Sequence, residues 1–135
     1  MAGYSGTPLV KKLGIKPGQR IALLSGPPGY RKMLGPLPDR VNCAEQLGEK
    51  LDFIQLFATT QADLKRRFKE AKGCLAMNGS LWISWPKKTS GVATDLNENS
   101  IREIGLGLGL VDVKVCAVDE TWSGLKFVYR LKDRA

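Results

Sequence analysis

The chain has 135 residues, a formal net charge of +8, 43% apolar residues and 25% charged residues. That is ordinary globular composition, enough for one domain with a core, and it excludes an intrinsically disordered chain. Histidine is absent, which excludes Ser-His-Asp and Cys-His catalysis and the usual zinc hydrolase sites, and leaves any chemistry to Asp, Glu, Lys, Tyr or Cys.

Cys43, Cys74 and Cys116 are odd in number and show no CxxC spacing. They read as reduced, packed thiols of a cytoplasmic protein, with no metal or redox site. No charged segment leads into an apolar stretch at the start, and no apolar run reaches membrane-span length, so neither a secretory signal nor a membrane partner is expected. The charge is uneven: residues 1–40 hold seven Lys/Arg (Lys11, Lys12, Lys16, Arg20, Arg31, Lys32 and Arg40) and a single acid, Asp39. One reading is a polyanion partner; the other is a solvated surface, which would bind nucleic acid weakly and lose it near physiological salt.

In chain order, residues 1–8 are small and turn-forming and read as an extended arm. Thr7 and Pro8 suit the cap and first position of a short helix through Leu13, which Gly14 ends. Lys16–Gln19 reads as a turn, and Arg20–Ser25 as an apolar strand buried on both faces. Gly26-Pro27-Pro28-Gly29 stops that strand, and a short helix follows over Tyr30–Leu34. Val41–Ala44 reads as a weak peripheral strand and Asp52–Ala58 as a buried one. Thr60 and Asp63 resemble a capping box, and Leu64, Phe68, Ala71 and Leu75 recur on one helical face.

Asn78-Gly79 reads as a turn into the strand Ser80–Trp85, followed by a basic loop, Pro86–Gly91. Asp95 and Glu98 suggest a second capping box for a helix that buries Ile101, Ile104 and Leu108. Gly105, Gly107 and Gly109 weaken it, by about 1 kcal/mol each if interior, and close packing against a sheet is one reason to keep them. Val111–Val118 and Leu125–Lys132 alternate as strands. Val111, Val113, Val115 and Ala117 form one apolar stripe, and Leu125, Phe127, Tyr129 and Leu131 the other. Their short link, Asp119–Gly124, predicts an antiparallel hairpin. With no repeat or linker, the whole reads as a single α/β domain over 1–135. Its sheet is mostly parallel, with helices on both faces and a C-terminal antiparallel hairpin.

The stretch Leu13-Gly14-Ile15-Lys16-Pro17-Gly18-Gln19-Arg20-Ile21-Ala22-Leu23-Leu24 resembles the lead-in to the first strand of class I, S-adenosylmethionine-dependent methyltransferases, which have a Rossmann-like fold. The apolar strand led by Asp52, the Gly79–Ile83 strand, the helix and the terminal hairpin fit the same order. The segments AGYSGTPLVKKLGIKPG, WPKKTSG and VDVKVCAVDETWSGLKFVYRLKDR also resemble, along nearly the full length, a bacterial family of small domains without an assigned activity. The methyltransferase likeness implies a cofactor turn after the first strand and an acid after the second to hold ribose hydroxyls. Glu45 is the residue near that place, and the neighbouring Gln46 is uncharged. The turn departs from the pattern, because Pro27 and Pro28 replace glycines and remove two N–H donors. Tight S-adenosylmethionine binding is therefore disfavoured. Between Ala44 and Leu51 there is no room for a full helical crossover, which implies the loss of a strand-helix unit.

Open α/β sheets bind ligands at the carboxyl ends of their parallel strands. Three segments should meet there: Gly26 and Gly29; Lys87 and Lys88 with Thr89 and Ser90; and Asp119, Glu120 and Trp122. The lysines would meet an anionic or nucleotide-like ligand, and Trp122 or Trp85 would give a stacking face. The alternative makes these a rigid turn, a solvated loop and a hairpin tip whose acids neutralise the lysines. The favoured expectation is a non-catalytic small-ligand-binding domain derived from a methyltransferase-like fold. A methyltransferase of unknown substrate and a basic nucleic-acid-binding accessory protein are the alternatives.

Overall fold

A computed structural model describes residues 7–134. Most of the expected arm over 1–8 lies outside the described residues. Helix α1 spans Leu9–Leu13, β1 Arg20–Leu24, α2 Tyr30–Leu34, β2 Asn42–Ala44, β3 Leu51–Phe57, α3 Gln61–Cys74 and β4 Leu75–Pro86. Helix α4 spans Glu98–Gly107, β5 Leu110–Ala117 and β6 Trp122–Tyr129. One six-stranded sheet has the order β2-β1-β3-β4-β6-β5. Strands β2, β1, β3 and β4 pair in parallel, while β6 pairs antiparallel with both β4 and β5.

The apolar runs alternate between two cores, as strands buried on both faces must. Ala22, Leu24, Ile54, Leu56, Leu81 and Ile83 face α3 and α4, against Leu64, Phe68, Ile101 and Ile104. Ile21, Leu23, Phe53, Phe57 and Trp82 face α1 and α2, against Leu13, Tyr30 and Leu34. The Trp82 indole N–H donates to the Leu13 carbonyl at 3.0 Å, which anchors the end of α1 on the sheet. Gly105 lets α4 approach: a Cβ there would stand 2.0 Å from the Phe127 ring.

Several local expectations differ from the structure. Pro8, not Thr7, is the N-cap of α1, and no side chain caps it. Thr60 Oγ1 accepts from the Asp63 amide as expected, but the Asp63 carboxylate turns to Arg66 and Arg67 and does not close the box. Leu75 already belongs to β4, so α3 runs straight into the strand. Asn78-Gly79 lies inside β4 as an irregularity and is not a connecting turn; a Cβ on Gly79 would stand 2.9 Å from the Asp52 carbonyl. Asn97 with Ser100 forms the capping box of α4. Asp95 instead accepts from the Gln61 amide at 2.7 Å and ties α3 to the segment before α4.

The hairpin pairs as expected, but its outer strand does not bury the expected stripe. Val113 is 55% exposed and Val115 51%. Strand β5 is the edge of the sheet, and a register shift between Asp112 and Lys114 breaks its alternation. Arg102 of α4 holds Asp112 at 2.9 Å beside that shift. On β6 the core stripe ends at Tyr129; Leu131 lies in a single 3-10 turn and is 79% exposed.

Candidate functional site at the carboxyl edge of the sheet

Strand β2 is only three residues long and pairs with the first half of β1, Ala44 standing opposite Ala22. It therefore stops two residues short of the end of β1, and the chain reaches β3 through residues 45–50 with no helix between. The step left beside β1 is an open cleft of about 1540 Å³. Its walls include Gly26, Pro27, Pro28 and Gly29 on one side and Cys43, Ala44, Glu45 and Gln46 on the other. Arg31, Lys32 and Arg40 also line it, so three cationic side chains accompany the one carboxylate of Glu45. Gly29 has φ 80°, a left-handed conformation that suits glycine.

Below this cleft, three polar side chains form a chain inside the protein. The Tyr30 hydroxyl donates to Gln55 Oε1 at 2.5 Å, and Gln55 Nε2 donates to Ser84 Oγ at 3.0 Å. Gln55 and Ser84 are fully buried. Burial pushes the Tyr30 phenol well above its usual range, against the lowering effect of its bond to Gln55. Tyr30 meets Phe57 edge-to-face at 4.7 Å and Phe57 meets Trp122 at 5.1 Å, so an aromatic row runs along the sheet edge. Where the strand order reverses, between β1 and β3, Arg67 donates to Ser25 Oγ at 2.6 Å and to the Phe57 carbonyl at 3.0 Å. A third bond to the Asp63 carboxylate fixes the guanidinium. Ser25 itself has φ 59°, uncommon for a residue other than glycine.

The segments expected to meet do share this edge, but they do not share one cleft. Gly26 and Gly29 line the β1–β2 cleft. Lys87 and Lys88 line a second one of about 770 Å³, with Trp85, Asp95, Asn97, Glu98 and Ser123. The hairpin tip is joined to that loop, because the Lys87 amide donates to the Thr121 carbonyl at 2.8 Å and Trp122 pairs with Pro86. Ser90 Oγ donates to the Lys87 carbonyl and accepts from the Val92 amide, so it holds its own turn; Thr89 is exposed. Asp119 Oδ1 accepts from the Thr121 and Trp122 amides at 2.8 Å each, and Glu120 is exposed. Trp122 is half-buried against Phe57, and Trp85 is only 6% exposed, in the core.

The sequence names Arg31 and Arg40 only within the basic excess of residues 1–40, and it does not point to Arg67 or to the Tyr30–Gln55–Ser84 chain as part of a site. The available signal was Gln55 and Ser84, polar residues inside otherwise apolar strands. Among the described residues no helix is long and apolar enough to cross a membrane, and no three His, Cys, Asp or Glu side chains are grouped to hold a metal.

No protein-family model matches the chain, and no curated protein matches its sequence. Solved structures do match it in fold. The magnesium protoporphyrin IX methyltransferase of Synechocystis PCC 6803, with S-adenosylmethionine bound, superposes with a TM-score of 0.63 at 13% identity, over 90% of this chain and 74% of that one. An S-adenosylmethionine-dependent methyltransferase from Aquifex aeolicus gives 0.62 at 14% identity, over 88% of this chain and 86% of that one. A TehB-like enzyme of the same class from Corynebacterium glutamicum gives 0.59 at 10% identity, over 96% and 91%. With its mostly parallel sheet, two helical layers and antiparallel end, the chain has the fold of class I, S-adenosylmethionine-dependent methyltransferases.

Proposed function

We propose that the chain is a non-catalytic binding domain for a small anionic, nucleotide-like ligand, held in the cleft between β1 and β2. One observation carries this reading: the short β2 sets Glu45 across from Gly26–Gly29 in a cleft whose other charged side chains are Arg31, Lys32 and Arg40. A carboxylate accepts hydrogen bonds from ribose hydroxyls, and cationic side chains meet phosphate. Pro27 and Pro28 have no N–H to offer, so phosphate recognition falls on the side chains. Of the residues expected from sequence, Gly26 and Gly29 belong to this site. Lys87 and Lys88 line the neighbouring cleft and would touch only a ligand that extends over the aromatic row.

The likeness to a methyltransferase solved with its cofactor bound favours a second reading, an S-adenosylmethionine-dependent methyltransferase. Glu45 would serve its ribose equally well. The sulfonium charge of that cofactor counts against it beside three cationic side chains. Calorimetry with ADP and with S-adenosylmethionine separates the two. Saturable binding of ADP without low-micromolar binding of S-adenosylmethionine is expected; the reverse result sinks the proposal and promotes the enzyme.

A further inference from the structure

Lys114 and Lys126 stand directly opposite each other in the antiparallel β5–β6 pair. Like charges in that position destabilise a strand pair. Leu125 and Phe127 face the α3–α4 core, so by alternation Lys126 faces the other side, where α1 lies. There the Lys114 ammonium donates to the Lys12 carbonyl at 3.0 Å, and a Cβ on Gly14 would stand 3.9 Å from Lys126 Nζ. Lys16 follows directly after α1. Burial first, and then the charges of Lys114 and Lys16, hold the Lys126 ammonium below its usual range.

The carbonyls at the end of α1 account for Lys114, since cations favour a helix C-terminus. They do not account for Lys126 or Lys16. Among the described residues no carboxylate lies within ion-pair distance of Lys16, Lys114 or Lys126, whereas Arg66, Arg67 and Arg102 are each paired. The fold thus gathers the charges of Lys16, Lys114 and Lys126 beside the end of α1, with no carboxylate paired to these three among the described residues. No aromatic ring is among the exposed large apolar side chains of the described residues. Among the described residues the surface therefore lacks both the aromatic anchors typical of a lipid headgroup layer and a ring on which an unpaired base could stack. An extended phosphate backbone fits it.

We propose that Lys16, Lys114 and Lys126 form a docking surface for the phosphate backbone of a nucleic-acid duplex, bound without regard to sequence. This is separate from the β1–β2 cleft, to which none of the three contributes. The test is fluorescence anisotropy with a short DNA duplex of random sequence, titrated from low to near-physiological salt. Lys16→Gln/Lys126→Gln should weaken low-salt binding by about tenfold or more and flatten the slope of log affinity against log salt by about two. Lys65→Gln/Lys69→Gln, exposed on α3 with the same change of charge, should stay within about twofold of the parent. Thermal melting should show the first variant as stable as the parent or more so, because an opposed pair of like charges is gone. Lys16→Gln alone, in an exposed loop, should weaken binding in the same direction if the pair compromises folding. Equal losses in the two double variants, no binding by the parent at low salt, or polyglutamate competing as well as the duplex would each overturn the proposal.

Discussion

The Tyr30 hydroxyl donates to Gln55 Oε1 at 2.5 Å inside the protein, and so ties helix α2 to an interior strand directly beneath the β1–β2 cleft. Removing the hydroxyl leaves the amide oxygen of Gln55 without its donor. Tyr30→Phe should therefore destabilise the fold by about 1–3 kcal/mol, measured by chemical denaturation at neutral pH.

The same pair gives a pH dependence. The folded-state pKa of Tyr30 is raised above its unfolded value of 10.0, chiefly by burial. Below that value both states keep the proton. Above it the unfolded chain ionises first, and stability falls as pH rises further. Denaturation midpoints across the alkaline range should decline more steeply for the parent than for Tyr30→Phe. Parallel curves would show that Tyr30 does not contribute.

Two glycines on one helix should respond oppositely to alanine. At Gly105 the added methyl meets the Phe127 ring, with nothing flexible to give way. Gly105→Ala should cost about 1–3 kcal/mol despite its better helix propensity. Gly107 has open space around it, and Gly107→Ala should gain up to about 1 kcal/mol. Thermal melting of the two variants checks this.

Trp122 serves the aromatic row through Phe57. Trp122→Ala should destabilise by about 3 kcal/mol in denaturant melts. A stable variant that loses ligand binding would instead show the indole to be a stacking face.

The two clefts make separate predictions for ligand binding. Glu45→Gln should weaken ADP binding by about tenfold, the scale of one charge-assisted hydrogen bond. Arg31→Glu/Arg40→Glu should abolish it. Lys87→Glu/Lys88→Glu, lining the other cleft, should leave it within about twofold, with stability changed by less than about 0.5 kcal/mol. Calorimetry reads the affinities, and a loss at Lys87/Lys88 would show that the ligand spans the aromatic row.

Local chemistry determined what could be read from the sequence itself. The apolar run Arg20–Leu24 made a strand, Gly14 ended a helix at φ 81°, and Leu64, Phe68 and Ala71 chose the buried face of α3. The link after β5 was short enough to impose an antiparallel return. Tertiary structure alone decided which faces those elements shared. Val113 looks like core in a linear pattern, but the register shift on an edge strand exposes it. Lys87 and Gly26 both follow parallel strands, yet the shortness of β2 opens a cleft beside only one of them. Lys16 and Lys126 are 110 residues apart in the chain, and only the crossing of α1 over the hairpin brings their charges together. Alternation and capping act over a few residues, whereas clefts and charge clusters arise from contacts between segments whose spacing no local pattern encodes.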